Sequence, residues 1–337
     1  MLVAIDQGYG YTKAVAGEKK TVFPSVVSPA SEVDLGLGKI SWGHSVTVRP
    51  QGSIVKRQYF VGELALKCGL AAQLTLARNK LSREISDLLL LTAAYLVGVE
   101  GQVTLAYGLP IAYYRHQRDE AKRSLQGMAA YVSVDGGPEK YISFGHVAVF
   151  PQGVGALFSL DRLPEEGLVG LLDIGFYTTD YLLVDVRKDR VEPLPNFFGS
   201  IELGVSSAMK TFGERFLWLT GRPLSLVEIQ ELWGRARITF GGEKRDLEPL
   251  PGEGRLAVAQ AIVEGVTAAW AQKFSYVDVI YLAGGGGLEF LGTLRQMLRK
   301  DVVLLPEPQY ANALGFLRMA ARQLGISHQA GSSVSSK

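Results

Sequence analysis

Two stretches of the chain follow one pattern, D-x-G-[YF]-x-x-T: Asp6-Gln7-Gly8-Tyr9-Gly10-Tyr11-Thr12 and Asp173-Ile174-Gly175-Phe176-Tyr177-Thr178-Thr179. They stand 167 positions apart. An apolar run leads into each aspartate, and β-prone residues follow each threonine, Ala14-Val15-Ala16 in one copy and Tyr181-Leu182-Leu183-Val184 in the other. A strand, a tight glycine turn and a second strand are what this pattern encodes. A hairpin repeated at domain-sized spacing, each copy followed by further strands and then helices, predicts two related α/β halves with mainly buried strands. The 337 residues, 47% of them apolar, are enough to bury the core that two such domains require.

Periodicity fills in the halves. In the first, residues 60–62 and 103–107 read as strands, 76–97 and 111–125 as helices, and Gly108-Leu109-Pro110 as the turn before the second helix. In the second, residues 204–219, 226–237 and 255–274 read as helices, and 277–282 as an apolar strand ending at Gly284-Gly285-Gly286-Gly287. A closing helix covers 311–324. Residues 31–57 read as a small irregular subdomain with short strands, and the Ser-rich stretch 327–337 as a mobile tail.

Glycines at a tight turn let backbone N–H groups surround an anion, and a duplicated pair can grip a polyphosphate from two sides. Lys13 adds a cation for a phosphate oxygen, while Thr12, Thr178 and Thr179 offer hydroxyl donors. Asp6 and Asp173 are expected at strand ends facing a common cleft. There they suit Mg²⁺, which keeps several waters and takes one or two carboxylates together with substrate phosphates. The alternative is that each merely caps its own turn. Asp180 is open between catalysis and a capping or solvent-facing role. Gln152, in Pro151-Gln152-Gly153-Val154-Gly155, cannot act as a carboxylate base but can orient an attacking water. Gly284 to Gly287 would let a flat ligand lie against backbone. Neither a P-loop signature nor G-x-G-x-x-G after the first strand is present.

Charge and cysteine content remove other classes. Thirty-five Lys and Arg against 33 Asp and Glu leave a formal +2, no bulk case for nucleic acid or a membrane surface. Cys68 is a single cysteine, and His44, His116, His146 and His328 lack metal-ligand spacing, so neither a disulfide nor a zinc site is expected. The apolar stretch 88–99 is too short for a bilayer crossing of about 20 residues. The N-terminus lacks a signal-peptide pattern, and a cytoplasmic location is expected.

With these residues assembled, the chain resembles the actin-like ATPase superfamily, and within it the ParM/Alp (StbA-like) segregation actins of prokaryotes. The segments that carry the resemblance run in order from residue 6 to 315. They are Asp6 to Lys13, Phe23-Pro24-Ser25-Val26, Phe60-Val61-Gly62-Glu63-Leu64-Ala65, Gly108-Leu109-Pro110, Pro151 to Gly155, Asp173 to Thr179, Gly199 to Ser206, the four-glycine run, and Tyr310-Ala311-Asn312-Ala313-Leu314-Gly315. The second turn departs from the pattern: Phe176-Tyr177 stand where several relatives have glycine or small residues.

The resemblance implies an actin-like (ribonuclease H-like) duplicated two-domain ATPase fold with a central nucleotide cleft. Domain I would comprise 1–166 plus 309–326, with a small subdomain around 31–75, and domain II 167–308. Phosphates would be held by Gly8, Tyr9, Gly10, Tyr11, Thr12 and Lys13 and by Gly175, Phe176, Tyr177, Thr178 and Thr179. Gly204 would join the nucleotide-binding residues, and Gly284, Gly285 and Gly286 would take the adenosine. Asp6 and Asp173 would hold hydrated magnesium, and Gln152 with Asp173 would be catalytic. The implied cofactors are ATP or ADP, with GTP open, and Mg²⁺. The implied activity is slow ATP hydrolysis coupled to filament formation for plasmid or DNA segregation. Partners would be further copies of the chain and a DNA-binding adaptor, with no direct nucleic acid or membrane contact. A chaperone would need a substrate-binding region after the ATPase. A small-molecule kinase of the same fold, or a non-polymerising nucleotide-dependent scaffold, remains the alternative.

Overall fold

The computed structural model describes residues 1–30, 42–68, 83–188 and 190–326. The chain opens with a three-strand meander, β1 (Leu2–Gln7), β2 (Tyr11–Ala16) and β3 (Lys19–Pro24). It continues through β4 (Val27–Pro29), β5 (His44–Pro50), β6 (Arg57–Val61), α1 (Glu63–Cys68) and α2 (Arg83–Leu96). Next come β7 (Gly101–Leu109), α3 (Ile111–Leu125), β8 (Ala129–Val134), β9 (Lys140–Pro151) and a short α4 (Val154–Leu157). A second meander follows, β10 (Glu166–Ile174), β11 (Thr179–Arg187) and β12 (Arg190–Ile201). After it come α5 (Val205–Thr220), α6 (Leu226–Leu232), the hairpin β13 (Arg237–Phe240) and β14 (Glu243–Asp246), and α7 (Pro249–Trp270). The last elements are β15 (Val277–Ala283), α8 (Gly285–Leu298), β16 (Asp301–Leu304) and α9 (Ala311–Gln323).

The duplication read from two heptapeptides extends to whole sheets. Strands β3-β2-β1-β7-β9 in the first sheet and β12-β11-β10-β15-β16 in the second share one order. In each, two antiparallel pairings are followed by two parallel ones. The parallel pairs need crossover connections, and the helices between them supply these. The first sheet is then extended by β8-β5-β6-β4.

Alternation along each central strand decides what covers each face. On β1, Val3 and Ile5 pack with the buried Leu88 to Leu91 run of α2, while Ala4 faces Ala313, Phe316, Leu317 and Ala320 of α9. On β10, Leu172 and Ile174 meet Ile262, Val266 and Trp270 of α7 and Phe290 of α8. Its Val169 and Leu171 face Val154, Ala156 and Leu157 of α4. Two elements far apart in sequence, α4 at mid-chain and α9 near the C-terminus, therefore lie between the sheets. Their contact is backbone to backbone: a Cβ on Gly315 would collide with the carbonyl of Gly155. Phe316 is fully buried beside Gly108 and Gly155. Its burial contributes on the order of 1.5–3 kcal/mol.

The expected helices at 111–125, 204–219 and 311–324 are present to within a residue. The expected helix at 226–237 stops at Leu232; Gly234, with φ of 82°, turns the chain, and β13 begins at Arg237. That helix starts with a capping box, in which the Ser225 side chain accepts from the Glu228 amide and Glu228 accepts from the Ser225 amide. The helix expected at 255–274 instead runs from Pro249 to Trp270, because prolines are tolerated in a first helical turn. Of the helix expected at 76–97, residues 83–96 are helical and 76–82 lie outside the described residues, as do 31–41 of the irregular subdomain and the tail 327–337. Among the described residues no helix is long and apolar enough to cross a membrane.

Candidate functional site

The turns joining β1 to β2 and β10 to β11 face one another across a cavity of about 720 Å³, a size that suits a small-molecule ligand. Gly8, Tyr9, Gly10, Tyr11 and Lys13 line it from the first turn, and Gly175, Phe176, Tyr177 and Thr178 from the second. Asp6, Asp173, Gln152, Gly284, Gly285 and Gly286 line it as well.

Both turns close on the same internal hydrogen bond and are braced from behind by different donors. The Gly8 amide donates to Tyr11 O at 3.0 Å, and the Gly175 amide to Thr178 O at 2.8 Å. In the first turn, buried Ser25 donates its hydroxyl to Gly8 O at 2.7 Å and its amide to Gly10 O at 2.9 Å. In the second, the first amides of α5 do this work: Val205 N donates to Gly175 O and Ser206 N to Phe176 O, at 3.2 and 2.8 Å. Occupied carbonyls matter because an anion site needs backbone oxygens engaged elsewhere, so that N–H groups dominate the local field.

Three of the residues expected to bind nucleotide, two of them at phosphates, do not line the cavity. Thr12 and Thr179 are both fully buried; Thr12 Oγ1 bonds Ser25 Oγ at 2.9 Å, and Thr179 Oγ1 donates to Leu203 O at 2.8 Å. Each hydroxyl points to the segment that braces its turn, because alternation on β2 and β11 puts it on the face away from the cavity. Gly204 sits beneath the second turn, where a Cβ would lie 2.6 Å from Gly175 O and 2.7 Å from Phe176 O. Its role is close approach of the backbone.

Carboxylates and amides form the polar floor. Lys13 Nζ and Asp6 Oδ2 pair at 3.1 Å, and Gln152 Nε2 donates to Asp6 Oδ1 at 2.7 Å. Donating through its nitrogen leaves Gln152 its carbonyl oxygen as the acceptor it can offer a water. Asp173 faces Asp180 directly across the β10/β11 ladder, as Asp6 faces Lys13 across β1/β2. Burial, then the charges of Asp6 and Asp180, push Asp173 up to about 7, against the opposing pull of Lys13 and the bond from Asn312. Burial chiefly pushes Asp180 up to about 6; a hydrogen bond from Ser200 opposes this and the Asp6 charge adds to it. Among the described residues no three His, Cys, Asp or Glu are placed to hold a metal ion directly. Asp6, buried, and Asp173, half-buried, nonetheless fit a hydrated divalent cation that they would hold through water.

At the cavity's far wall, α8 starts at the four-glycine run. Gly284 has φ of 76°, and a Cβ there would lie 2.6 Å from Asp173 Oδ1. Gly287 packs toward Leu304 rather than lining the cavity. The N-terminus of the 14-residue α8 faces the cavity with its positive dipole end.

The sequence did not assign Asn312, Glu202, Gln230, Trp233, Glu289, Pro308 or Gln309, all of which line the cavity. The stretches Tyr310 to Gly315 and Gly199 to Ser206 marked the places of Asn312 and Glu202 without giving either a role, and the others carry no local signal. Ser25 lay in a segment singled out only by resemblance.

Two family models match the chain, "Actin like proteins N terminal domain" over residues 4–155 and "Archaeal actin homologue MreB-like, C-terminal" over 171–296. The chain belongs to the actin-like family. Among solved structures, this actin-like chain is similar to a 15-stranded ParM filament from Clostridium botulinum, with 25% identity and a TM-score of 0.83 over 95% of this chain and 99% of that one. It is also similar to a non-polymerisable quadruple mutant of pCBH ParM, at 25% identity and TM-score 0.81, with 95% and 99% covered. The archaeal actin homologue Ta0583 in complex with ADP shares the fold at 20% identity and TM-score 0.74, with 96% and 99% covered. No curated protein sequence matches. The fold is thus the two-domain α/β architecture of ParM-type actins, a family that generally hydrolyses ATP.

Proposed function

We propose that the chain binds a magnesium nucleoside triphosphate, ATP with GTP open, between its two hairpin turns, hydrolyses it slowly, and polymerises into filaments that serve DNA segregation in the cytoplasm. The two bodies that close on the nucleotide are 1–166 with 309–326, and 167–308. The observation that carries this reading is the convergence of two braced turns with Asp6, Asp173 and Gln152 on one cavity. The turn amides and Lys13 hold the phosphates, α8 and its glycines the nucleoside, and Asp6 and Asp173 the hydrated magnesium. Magnesium, when bound, neutralises charge on phosphate oxygens. Gln152 orients the attacking water through its side-chain carbonyl, while its amide holds Asp6 in place. The ADP complex of the archaeal relative and the filament of the clostridial one support nucleotide binding and self-association. Coupling to DNA runs through an adaptor protein, in keeping with a net charge of +2.

Right-angle light scattering on adding Mg-ATP, with Mg-ADP as control, tests the reading. A rise specific to ATP above a critical protein concentration is expected; no rise at any concentration overturns polymerisation. One contact favours a second reading, a nucleotide-dependent scaffold with little turnover. A Cβ on Gly10 would collide with Phe176, whose ring also meets Tyr11 edge-on at 6.1 Å, so an aromatic side chain joins the turns where a phosphate group would pass. ATP binding without scattering or phosphate release would support it.

A further inference from the structure

Asn312 joins parts of the site carried by different sheets through two hydrogen bonds of fixed sense. The Gly153 amide donates to Asn312 Oδ1 at 2.9 Å, and Asn312 Nδ2 donates to Asp173 Oδ2 at 2.6 Å. The two bonds determine each other: an amide that accepts from a backbone N–H through its oxygen must present its nitrogen to the carboxylate. Gly153 directly follows Gln152 at the end of the first sheet, and Asp173 lies at the end of the central strand of the second. Asn312 is itself buried, 6% exposed, so neither bond is shared with bulk water. Its backbone is held by the contact of Gly315 with Gly155 one turn further along α9, on the helix that carries Gly153 at its start.

We propose that Asn312 is a positioning residue that ties the Gln152 turn to Asp173, so that the group orienting water and the carboxylate holding the hydrated cation keep one spacing during hydrolysis. The inference rests on the nucleotide reading given above. Asn312 touches neither phosphate nor water in this role. It commits one oxygen of Asp173 to the protein and leaves the other, beside Gly284, for the cation's water shell. Outer partners of this kind set ligand orientation, and their loss costs about 10–100-fold in activity or metal affinity.

Asn312→Asp separates the two bonds. It is isosteric and still accepts from Gly153, but cannot donate to Asp173 as a carboxylate. Steady-state ATP hydrolysis would be measured against Mg²⁺ concentration in full-length wild type and variant, alongside nucleotide affinity in EDTA. The expected result is kcat lower by about tenfold or more with a higher half-saturating Mg²⁺, while metal-free nucleotide affinity changes by less than about threefold. A variant with wild-type kcat and Mg²⁺ dependence overturns the proposal, as does an equal fall in metal-free affinity, which marks a merely structural residue. If the variant does not fold, exchange of the Gly153 amide in wild type decides: protection that rises with Mg-nucleotide is expected, and exchange indifferent to it overturns the proposal. Wild type that binds no Mg-nucleotide overturns the nucleotide reading instead, and this inference with it.

Discussion

The two hairpins share a backbone and differ in charge. At the same register position the first pairs Asp6 with Lys13, and the second pairs Asp173 with Asp180. The first turn is neutral as it stands, with the ion pair at 3.1 Å. The second concentrates two half-buried carboxylates and raises both above the usual carboxylate range. The two copies therefore share a braced turn and differ in electrostatics, the first carboxylate balanced by its own lysine and the second pair left without a cation of its own. A ligand made of phosphate and magnesium calls for N–H and cationic donors beside carboxylates, and the paired turns bring both to one cavity.

The largest test of this difference removes the acid that the second turn depends on. Asp173→Ala is expected to reduce Mg-nucleotide turnover by about a hundredfold or more, the equivalent of the several kcal/mol a cation supplies to phosphoryl transfer. Gln152→Ala should keep nucleotide affinity within about threefold and lose hydrolysis by about a hundredfold. Isothermal titration with Mg-ADP and a phosphate-release assay separate the two. Equal hydrolysis by wild type and Gln152→Ala would end the water-positioning assignment, and the contrast between turns would then concern binding alone.

A smaller effect follows from the raised carboxylates. In the nucleotide-free protein, the fold holds protons on Asp173 and Asp180 that the unfolded chain releases near 3.8. Their contribution to stability is fully present below pH 3.8 and is lost as pH rises through about 6 and about 7. Each group contributes at most ~1.4 kcal/mol per pH unit within its window. The melting temperature of the nucleotide-free protein should therefore fall from pH 5 to pH 8, and fall less in Asp173→Asn. Saturating Mg-nucleotide should flatten the profile, since the cation then favours the charged carboxylates. An identical slope in wild type and Asp173→Asn would show that the second turn is not the electrostatic strain point.

How much of this the sequence carried depends on whether the cause was local. The hairpins were legible because glycine turns and flanking β-prone runs sit within a dozen residues. The closing helix was legible for the same reason. Strand β12 was not, since Pro193 and Pro195 argue against a strand; it lies at the edge of its sheet, where a missing ladder donor is tolerated. The start of α7 was hidden by Pro249, Pro251, Gly252 and Gly254, yet Gly254 is what lets it approach α5, a Cβ there lying 2.5 Å from Ala208 O. Asn312 was illegible in principle: its partners are 139 and 159 residues away.

The threonine that closes each repeat shows how a correct motif can carry a mistaken role. Thr12 and Thr179 occupy one position, share full burial, and spend their hydroxyls on the segments behind the turns, whereas Thr178 lines the cavity. Two functions thus sit side by side in Thr178-Thr179, and only the alternation of the strand separates them. Thr179→Val leaves Leu203 O without its donor and should cost roughly 1–3 kcal/mol. That corresponds to a melting temperature lower by a few degrees, with Mg-nucleotide affinity within about twofold of wild type. Thr178→Val should show the reverse, weaker affinity at unchanged melting temperature. Should Thr179→Val lose affinity while keeping its melting temperature, the hydroxyl belongs to the ligand after all, and the turns are less alike behind than their shared hydrogen bonds indicate.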